Sequence, residues 1–135
     1  MPFLTTTKFY TPELLRSYPD HLFVFGDNAR RTGKGGQAVI RDEPNAIGVA
    51  TKFAPNNGQA AFFRDNETSF AVLLHDLRVI MMLASAWPVV LPVSPVHDDW
   101  VLNIGTGLSA MPNHCPALFD ALQRWFRQRE IEGEI

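Results

Sequence analysis

Residues 21–25 form an uninterrupted apolar run, HLFVF, and an eleven-residue polar loop with four glycines follows at once at residues 26–36. A run without polar alternation is typical of a strand that is buried on both faces, as in a parallel sheet covered by helices. Residues 45–52, 88–93 and 100–104 show further strand patterns, and residues 4–10 show a weaker one. These segments predict a sheet with two covered faces.

Helix signals alternate with the strand patterns. Thr11 followed by Pro12 indicates a helix start, and that short helix ends near residue 17. Asn66 is expected to cap an amphipathic helix that reaches about residue 85, and Asn113 is expected to cap the last helix. A short helix is also predicted over residues 37–41, and the tail at residues 130–135 is predicted to be frayed. The alternation predicts a three-layer α/β/α fold in one domain, with a mixed sheet of about five or six strands.

Composition narrows the function classes. The formal net charge of -2 argues against nucleic acid as a partner. Cys115 is the only cysteine, so a disulfide framework and a multi-cysteine zinc site are excluded, and a reducing cytoplasm is expected. The longest apolar stretch, residues 79–93, is too short and too broken by prolines to cross a membrane. The oligomeric state is left open.

The first glycine loop, at residues 26–36, has the character of an anion site. Glycine lets the backbone approach a ligand closely, and the N–H groups at the start of the next helix would face the loop. Arg30, Arg31 and Lys34 would add positive charge. The alternative is a simple connection between a strand and a helix. Gly26 lies too far before Gly33 for a P-loop, and Lys34 is not followed by Ser or Thr, so magnesium-dependent NTPase chemistry is not indicated.

A second glycine loop occupies residues 105–112 and again follows a predicted strand. Its glycines flank a hydroxyl side chain, a combination that can wrap a diphosphate with backbone amides, although a plain turn is the alternative. In open α/β sheets, ligands bind beyond the carboxyl ends of the strands. We therefore expect both loops on one edge of the sheet.

These segments resemble the macro domain, a module that binds ADP-ribose. The resemblance is carried by FGDN at residues 25–28, by GGQAVI at residues 35–40 and by IGTGLSAMP at residues 104–112, each followed by a predicted helix. The chain also resembles, over most of its length, a group of small bacterial and phage proteins with FGDN, GKGGQAVIR and late GTGL motifs, and that resemblance implies no activity. The sequence departs from macro domains in one respect, because residues 9–12 lack the Asp that reads the adenine amino group.

The macro resemblance implies roles for individual residues. Asn28 would approach the distal ribose, Gly35, Gly36 and Gln37 would line the ribose and the diphosphate, and the second loop would grip the diphosphate. The complete predicted ligand-binding set is Gly26, Arg30, Lys34, Gly35, Gly36, Gln37, Gly105, Thr106, Gly107 and Leu108.

Catalytic candidates are few. Asp27, beside Asn28, could activate a water molecule as a general base, or else form a turn. The histidines are scattered, so the sequence indicates no metal site and no cofactor, although His97 stands beside two aspartates. Cys115 is interpreted as structural. Phe53, Phe62 and Phe63 are candidates for stacking on a base or for packing in the core.

The predicted function is binding of a nucleotide diphosphate such as ADP-ribose, with hydrolysis of an ADP-ribosyl bond as its enzymatic form. The alternative is a non-enzymatic interaction protein or a receptor for a signalling nucleotide, in phage–host conflict. The first predicts a small-molecule ligand at the two glycine loops, and the second predicts a partner or a signalling nucleotide there.

Overall fold

Six strands form one sheet in the computed structural model, which describes residues 2–135. The strands are β1 (Phe3–Thr6), β2 (Leu22–Asp27), β3 (Ala46–Ala50), β4 (Val89–Val96), β5 (Asp99–Leu102) and β6 (Ile131–Glu134). The order across the sheet is β3-β2-β4-β1-β6, with parallel pairing throughout, and β5 pairs with β4 in the antiparallel direction. The α/β class and the mixed sheet are thus confirmed.

Helices cover both faces of the sheet. They are α1 (Pro12–Ser17), α2 (Glu67–Leu83), α3 (Met111–His114) and α4 (Pro116–Arg127), with 3₁₀ turns at Gly36–Ile40, Gln59–Ala61 and Gly107–Ser109. Leu22 and Val24 of β2 pack into a core cluster with α2 and α4, whereas Phe23 and Phe25 pack into a second cluster with α1 and the first 3₁₀ turn. The apolar run of β2 is continuous because both of its faces are buried. None of the helices within residues 2–135 combines the length and the apolar character needed to cross a bilayer.

Two predicted helix caps are confirmed by their hydrogen bonds. The Thr11 hydroxyl accepts from the N–H of Leu14 at 3.1 Å, and the Asn66 side chain accepts from the N–H of Ser69 at 2.9 Å. Each cap satisfies one of the N–H groups that have no partner inside a helix, and so fixes where the helix begins.

The sheet opens where β2 and β4 diverge. They pair only at Leu22 with Val89 and at Phe23 with Val90, and beyond that point β4 pairs with β5. The Gln37 side chain spans the opening, because its Oε1 accepts from the N–H of Gly26 at 2.9 Å and its Nε2 donates to the carbonyl of Asn103 at 2.6 Å. A single amide side chain thus replaces the missing backbone pairing and leaves a recess beside it.

The strand predicted at residues 100–104 is present as β5, at residues 99–102, and it returns from β4 as an antiparallel hairpin whose turn includes His97 at a φ of 54°. Two other local predictions are wrong. The tail is not frayed, since β6 pairs with β1 at the sheet edge. Asn113 does not cap the last helix. It lies within α3, and Cys115 precedes α4, which begins with Pro116.

Gly48 of β3 leaves room for the carboxylate of Asp27 on the neighbouring strand. The two strands pair in parallel, with Phe25 opposite Gly48. A Cβ atom at Gly48 would lie 2.8 Å from the Cβ atom of Asp27 and 2.9 Å from its carboxyl carbon. Asp27 cannot move aside easily, because its carboxylate is buried and is bound by Arg41. Position 48 therefore has to be glycine, because Asp27 at the end of β2 occupies the space that a side chain would need.

We expect Gly48→Ala to lower the free energy of unfolding by roughly 1–3 kcal/mol, the usual cost of overpacking a tight site. Gly35→Ala is the matched control, since Gly35 has a φ of -75° and its added Cβ would make only a 3.7 Å contact with Leu108. Chemical denaturation of the two variants and the wild type measures the difference. Equal stabilities for both variants would contradict the proposed packing.

Candidate functional site

The two glycine loops meet at the carboxyl end of the sheet and enclose a recess that we call the central cavity. Its volume is about 280 Å³. Eight of the ten predicted ligand-binding residues line it, and Arg30 and Lys34 do not. The lining residues are Gly26, Gly35, Gly36, Gln37, Thr51, Asn103, Ile104, Gly105, Thr106, Gly107, Leu108 and Ser109. The structure thus brings the two loops together on one edge, and the binding roles of these residues remain predictions.

Free backbone donors characterise this cavity. The N–H groups of Gly36, Gln37, Thr106, Gly107 and Leu108 have no acceptor anywhere in residues 2–135. Gly36 and Gly107 adopt left-handed φ values of 57° and 50°, and a Cβ on either would meet nothing within 4 Å. Successive N–H groups in such turns form concave anion sites. The walls of the cavity can therefore donate several hydrogen bonds to one anionic ligand.

Two further recesses adjoin the central cavity. The outer cavity, about 390 Å³, lies beyond Gln37 and shares Gly36, Gln37 and Asn103 with the central one. Phe9 lines it and is 95% exposed. The side cavity, about 200 Å³, lies beyond Gly35 and Leu108 and contains Asn28 and Lys52 in its wall. The three recesses form a continuous set of neighbouring spaces along the strand ends.

Asp27 and Asn28, the catalytic candidates, are both held by contacts within the protein. The Asp27 carboxylate accepts from Arg41 at 2.6 and 3.0 Å, and Arg31 lies 3.5 Å away. Asn28 donates to the carbonyl of Thr32 at 2.8 Å and accepts from the N–H of Arg30 at 3.0 Å. These contacts favour a structural role for both side chains, in shaping the first loop. The catalytic assignment remains a prediction.

The basic side chains of the first loop are not arranged around the central cavity. Arg31 binds Asp76 of α2 with one nitrogen at 2.6 and 2.7 Å from the two carboxylate oxygens. Lys34 pairs with Asp42 at the surface, and Arg30 is exposed. The positive charge that was predicted to surround an anion therefore lies outside the central cavity. Arg31 instead joins the first loop to α2.

Lys52 is the functional candidate that sequence reasoning missed. It is only 4% exposed, and its Nζ donates to the carbonyl of Leu108 at 3.3 Å and lies 4.7 Å from the centre of the Phe62 ring. Burial lowers the pKa of Lys52, because the charged form loses its hydration. The available signal was its position directly after β3, at the same edge as both glycine loops.

Thr51 and Ser109, which were not among the predicted site residues, also contribute hydroxyl groups to the site. Thr51 Oγ1 and Ser109 Oγ lie 2.5 Å apart and form a hydrogen bond between the end of β3 and the second loop. Thr51 also donates to the carbonyl of Asp27 at 3.2 Å. Ser109 lines both the central and the side cavity. This pair joins the second loop to the sheet in the same way that Gln37 joins the first.

The remaining reactive side chains lie in structural settings. Burial raises the pKa of the Cys115 thiol to about 11, a direction that makes it a poor nucleophile. Phe63 is fully buried and packs on Phe53, whereas Phe62 stacks on the ring of His114 at 3.9 Å. Within residues 2–135, no group of three or more His, Cys, Asp or Glu side chains could hold a metal ion.

Replacing Lys52 should change stability in a pH-dependent way. Because the folded-state pKa is below the ordinary value of 10.5, the unfolded chain binds more protons between these two values, and wild-type stability rises with pH across that window. We expect Lys52→Met to be more stable than the wild type at neutral pH, with the difference shrinking as pH approaches 10.5. Denaturation curves from pH 7 to 10.5 measure it. The surface variant Lys34→Met is measured for comparison, and a pH-independent difference for Lys52→Met would contradict the assignment.

Comparison with known proteins places the chain in a family. No curated protein and no solved structure matches it. Residues 5–125, which include both glycine loops and Lys52, match a family described as a family of unknown function, DUF7831. Since the match spans most of the sequence, the chain belongs to the DUF7831 family.

Proposed function

We propose that the protein binds a nucleotide diphosphate, with ADP-ribose or a derivative as the best candidate, in the central and outer cavities. The observation that carries the proposal is the set of free N–H groups in the walls of the central cavity. A diphosphate offers many acceptor oxygens close together. Backbone amides bind such groups strongly, because hydrogen bonds to a charged acceptor are shorter and stronger than neutral ones.

The central cavity would hold the diphosphate. Gly36 and Gln37 supply N–H groups from the first loop, and Thr106, Gly107 and Leu108 supply them from the second. Left-handed glycines keep side chains away from the approaching oxygens. The Gln37 side-chain amide donates one N–H to the carbonyl of Asn103, which holds the amide in place. Its role would be to keep the two sets of donors at a fixed separation.

The outer cavity would hold the base. It adjoins the central cavity through Gly36, Gln37 and Asn103, so a nucleotide could enter both at once. The Phe9 ring is free to stack on a base, and Ser94 and Thr7 supply hydroxyl groups in the wall. No carboxylate lines this cavity, whereas Lys8 does, so a ligand base would be recognised by stacking, by hydroxyl groups and by the Lys8 ammonium group.

The geometry supports binding of the ligand better than its hydrolysis. A general base needs a carboxylate oxygen that can reach a water molecule, and both oxygens of Asp27 are already bound by Arg41. Hydrolysis of an ADP-ribosyl bond remains a separate prediction. We also propose a cytoplasmic location, because the single cysteine is free and buried, as expected of a protein in a reducing compartment.

Calorimetric titration with ADP-ribose, NAD and AMP tests the diphosphate site. We expect Gly36→Val and Gly107→Val each to abolish measurable binding of ADP-ribose, because the new side chain would enter the open space beside the free N–H groups. Valine at a positive φ also costs roughly 1–2 kcal/mol of stability. Gly33→Val, at a φ of 90° and outside the central and outer cavities, controls for strain. Unchanged ADP-ribose affinity in the two cavity variants would refute the proposal.

A second variant tests the base site. Phe9→Ala should weaken binding of ADP-ribose and AMP alike, since stacking on an aromatic ring contributes roughly 1–3 kcal/mol per base. It should not change the melting temperature, because Phe9 is almost fully exposed. Phe70→Ala, an exposed phenylalanine on α2 outside these cavities, is the control. If Phe9→Ala binds AMP as tightly as the wild type does, the base does not lie in the outer cavity.

A further inference from the structure

Lys52 is a buried cation without a counter-ion. Its only hydrogen-bond acceptor is the carbonyl of Leu108, and no carboxylate oxygen within residues 2–135 lies within 4.0 Å of its Nζ. The Phe62 ring offers a weak attraction to the ammonium group. Buried charges in proteins are almost always paired or hydrogen-bonded, because an isolated ion is costly to remove from water. One carbonyl and one ring compensate little of that cost.

The acidic side chains around the first loop are already paired with other cations. Asp27 is bound by Arg41 and approached by Arg31, and Asp76 accepts from both Arg31 and the N–H of Ala50. The surface acid Asp42 pairs with Lys34. Each of these carboxylates is therefore matched by a cation, and the positive charge of Lys52 is left over at the side cavity. This local excess exists although the chain as a whole carries a formal charge of -2.

The side cavity has the size and the polar wall of an anion site. Its volume is about 200 Å³, whereas a water molecule takes about 30 Å³ in the liquid, so a group of several heavy atoms fits. Polar groups of Asn28, Thr32 and Ser109 line it together with Lys52. Asp27 also lines it, and Arg41 binds both oxygens of that carboxylate. It shares Gly26, Gly35, Leu108 and Ser109 with the central cavity, so one ligand could extend from one into the other.

We propose that the side cavity is a second anion site, in which the Lys52 ammonium binds a phosphate or carboxylate group of a small ligand. The site differs from the central cavity in kind, because it offers a full positive charge where the central cavity offers neutral N–H donors. The assignment is independent of what the central cavity holds. If both sites are used by one molecule, that molecule carries a second anionic group a short distance from its diphosphate.

The wild-type protein can be tested directly, because lysine occurs only at positions 8, 34 and 52. Protein labelled with ¹³C at the lysine Cε atoms gives three signals, which Lys8→Met and Lys34→Met assign. Inorganic phosphate and acetate are titrated separately at constant ionic strength. We expect one or both anions to shift the Lys52 signal saturably and to raise the pKa at which it titrates, since a bound anion favours the charged amine.

Lys34, which lines none of the three cavities, is the internal control in the same spectra. A response to phosphate alone identifies a phosphate site, and a response to acetate alone identifies a carboxylate site. If neither anion moves the Lys52 signal, or if all three lysines move together without saturation, the side cavity is not an anion site. Repeating the titration on Gly107→Val separates the two proposals. Loss of ADP-ribose binding with an unchanged Lys52 response confirms two independent sites. A wild-type protein that binds ADP-ribose while its Lys52 signal responds to neither anion has only the central site.

Discussion

The shape of the candidate site depends on the side-chain amide of Gln37, which joins the end of β2 to the segment that follows β5. β2 and β4 pair at only two positions and then separate, so the sheet has an opening between the end of β2 and the segment that follows β5. One side chain crosses it, accepting from Gly26 and donating to Asn103. An amide can do both at once, because it carries an acceptor oxygen and an NH₂ donor on one planar group. We infer that the width of the central cavity is set by this bridge, because both glycine loops begin at the atoms that it joins.

A second set of contacts fixes the loops from outside the cavity. Asp27, Arg41, Arg31 and Asp76 form a partly buried network of two acids and two bases that joins β2, the first loop and α2. Breaking one member of such a network leaves an unpaired buried charge, which typically costs about 3–5 kcal/mol. The first loop therefore has a defined position although it contains four glycines. The same ion pairs neutralise the positive charge of Arg31. An anion in the central cavity must therefore be bound by backbone N–H groups.

The α/β class, the buried strand β2 and the caps at Thr11 and Asn66 were predictable, because each depends on residues close together in sequence. The meeting of the two glycine loops followed from the rule that parallel strands place their carboxyl ends on one edge. Other elements depended on distant partners. The tail forms β6 only because β1 is an open edge more than a hundred residues away, and residues 99–102 turn back on β4 because the turn at His97 takes a left-handed conformation. Lys52 ends the strand pattern at residues 45–52, and its burial depends on Phe62 and on the second loop, which lie outside that pattern.

The distribution of charge bears on selectivity. A protein with a net charge of -2 does not attract anions at long range, and the exposed Arg30 and the paired Lys34 are outside the cavities. Recognition in the central cavity must therefore come from the positions of several neutral donors, which favour a ligand with several acceptor oxygens at matching separations over a single small anion. Lys52 adds one charge at a fixed point beside those donors. A ligand that binds both the N–H donors and Lys52 would be selected by the distance between its anionic groups more than by its total charge. That distance is set by the walls around Gly35 and Leu108, which the two cavities share.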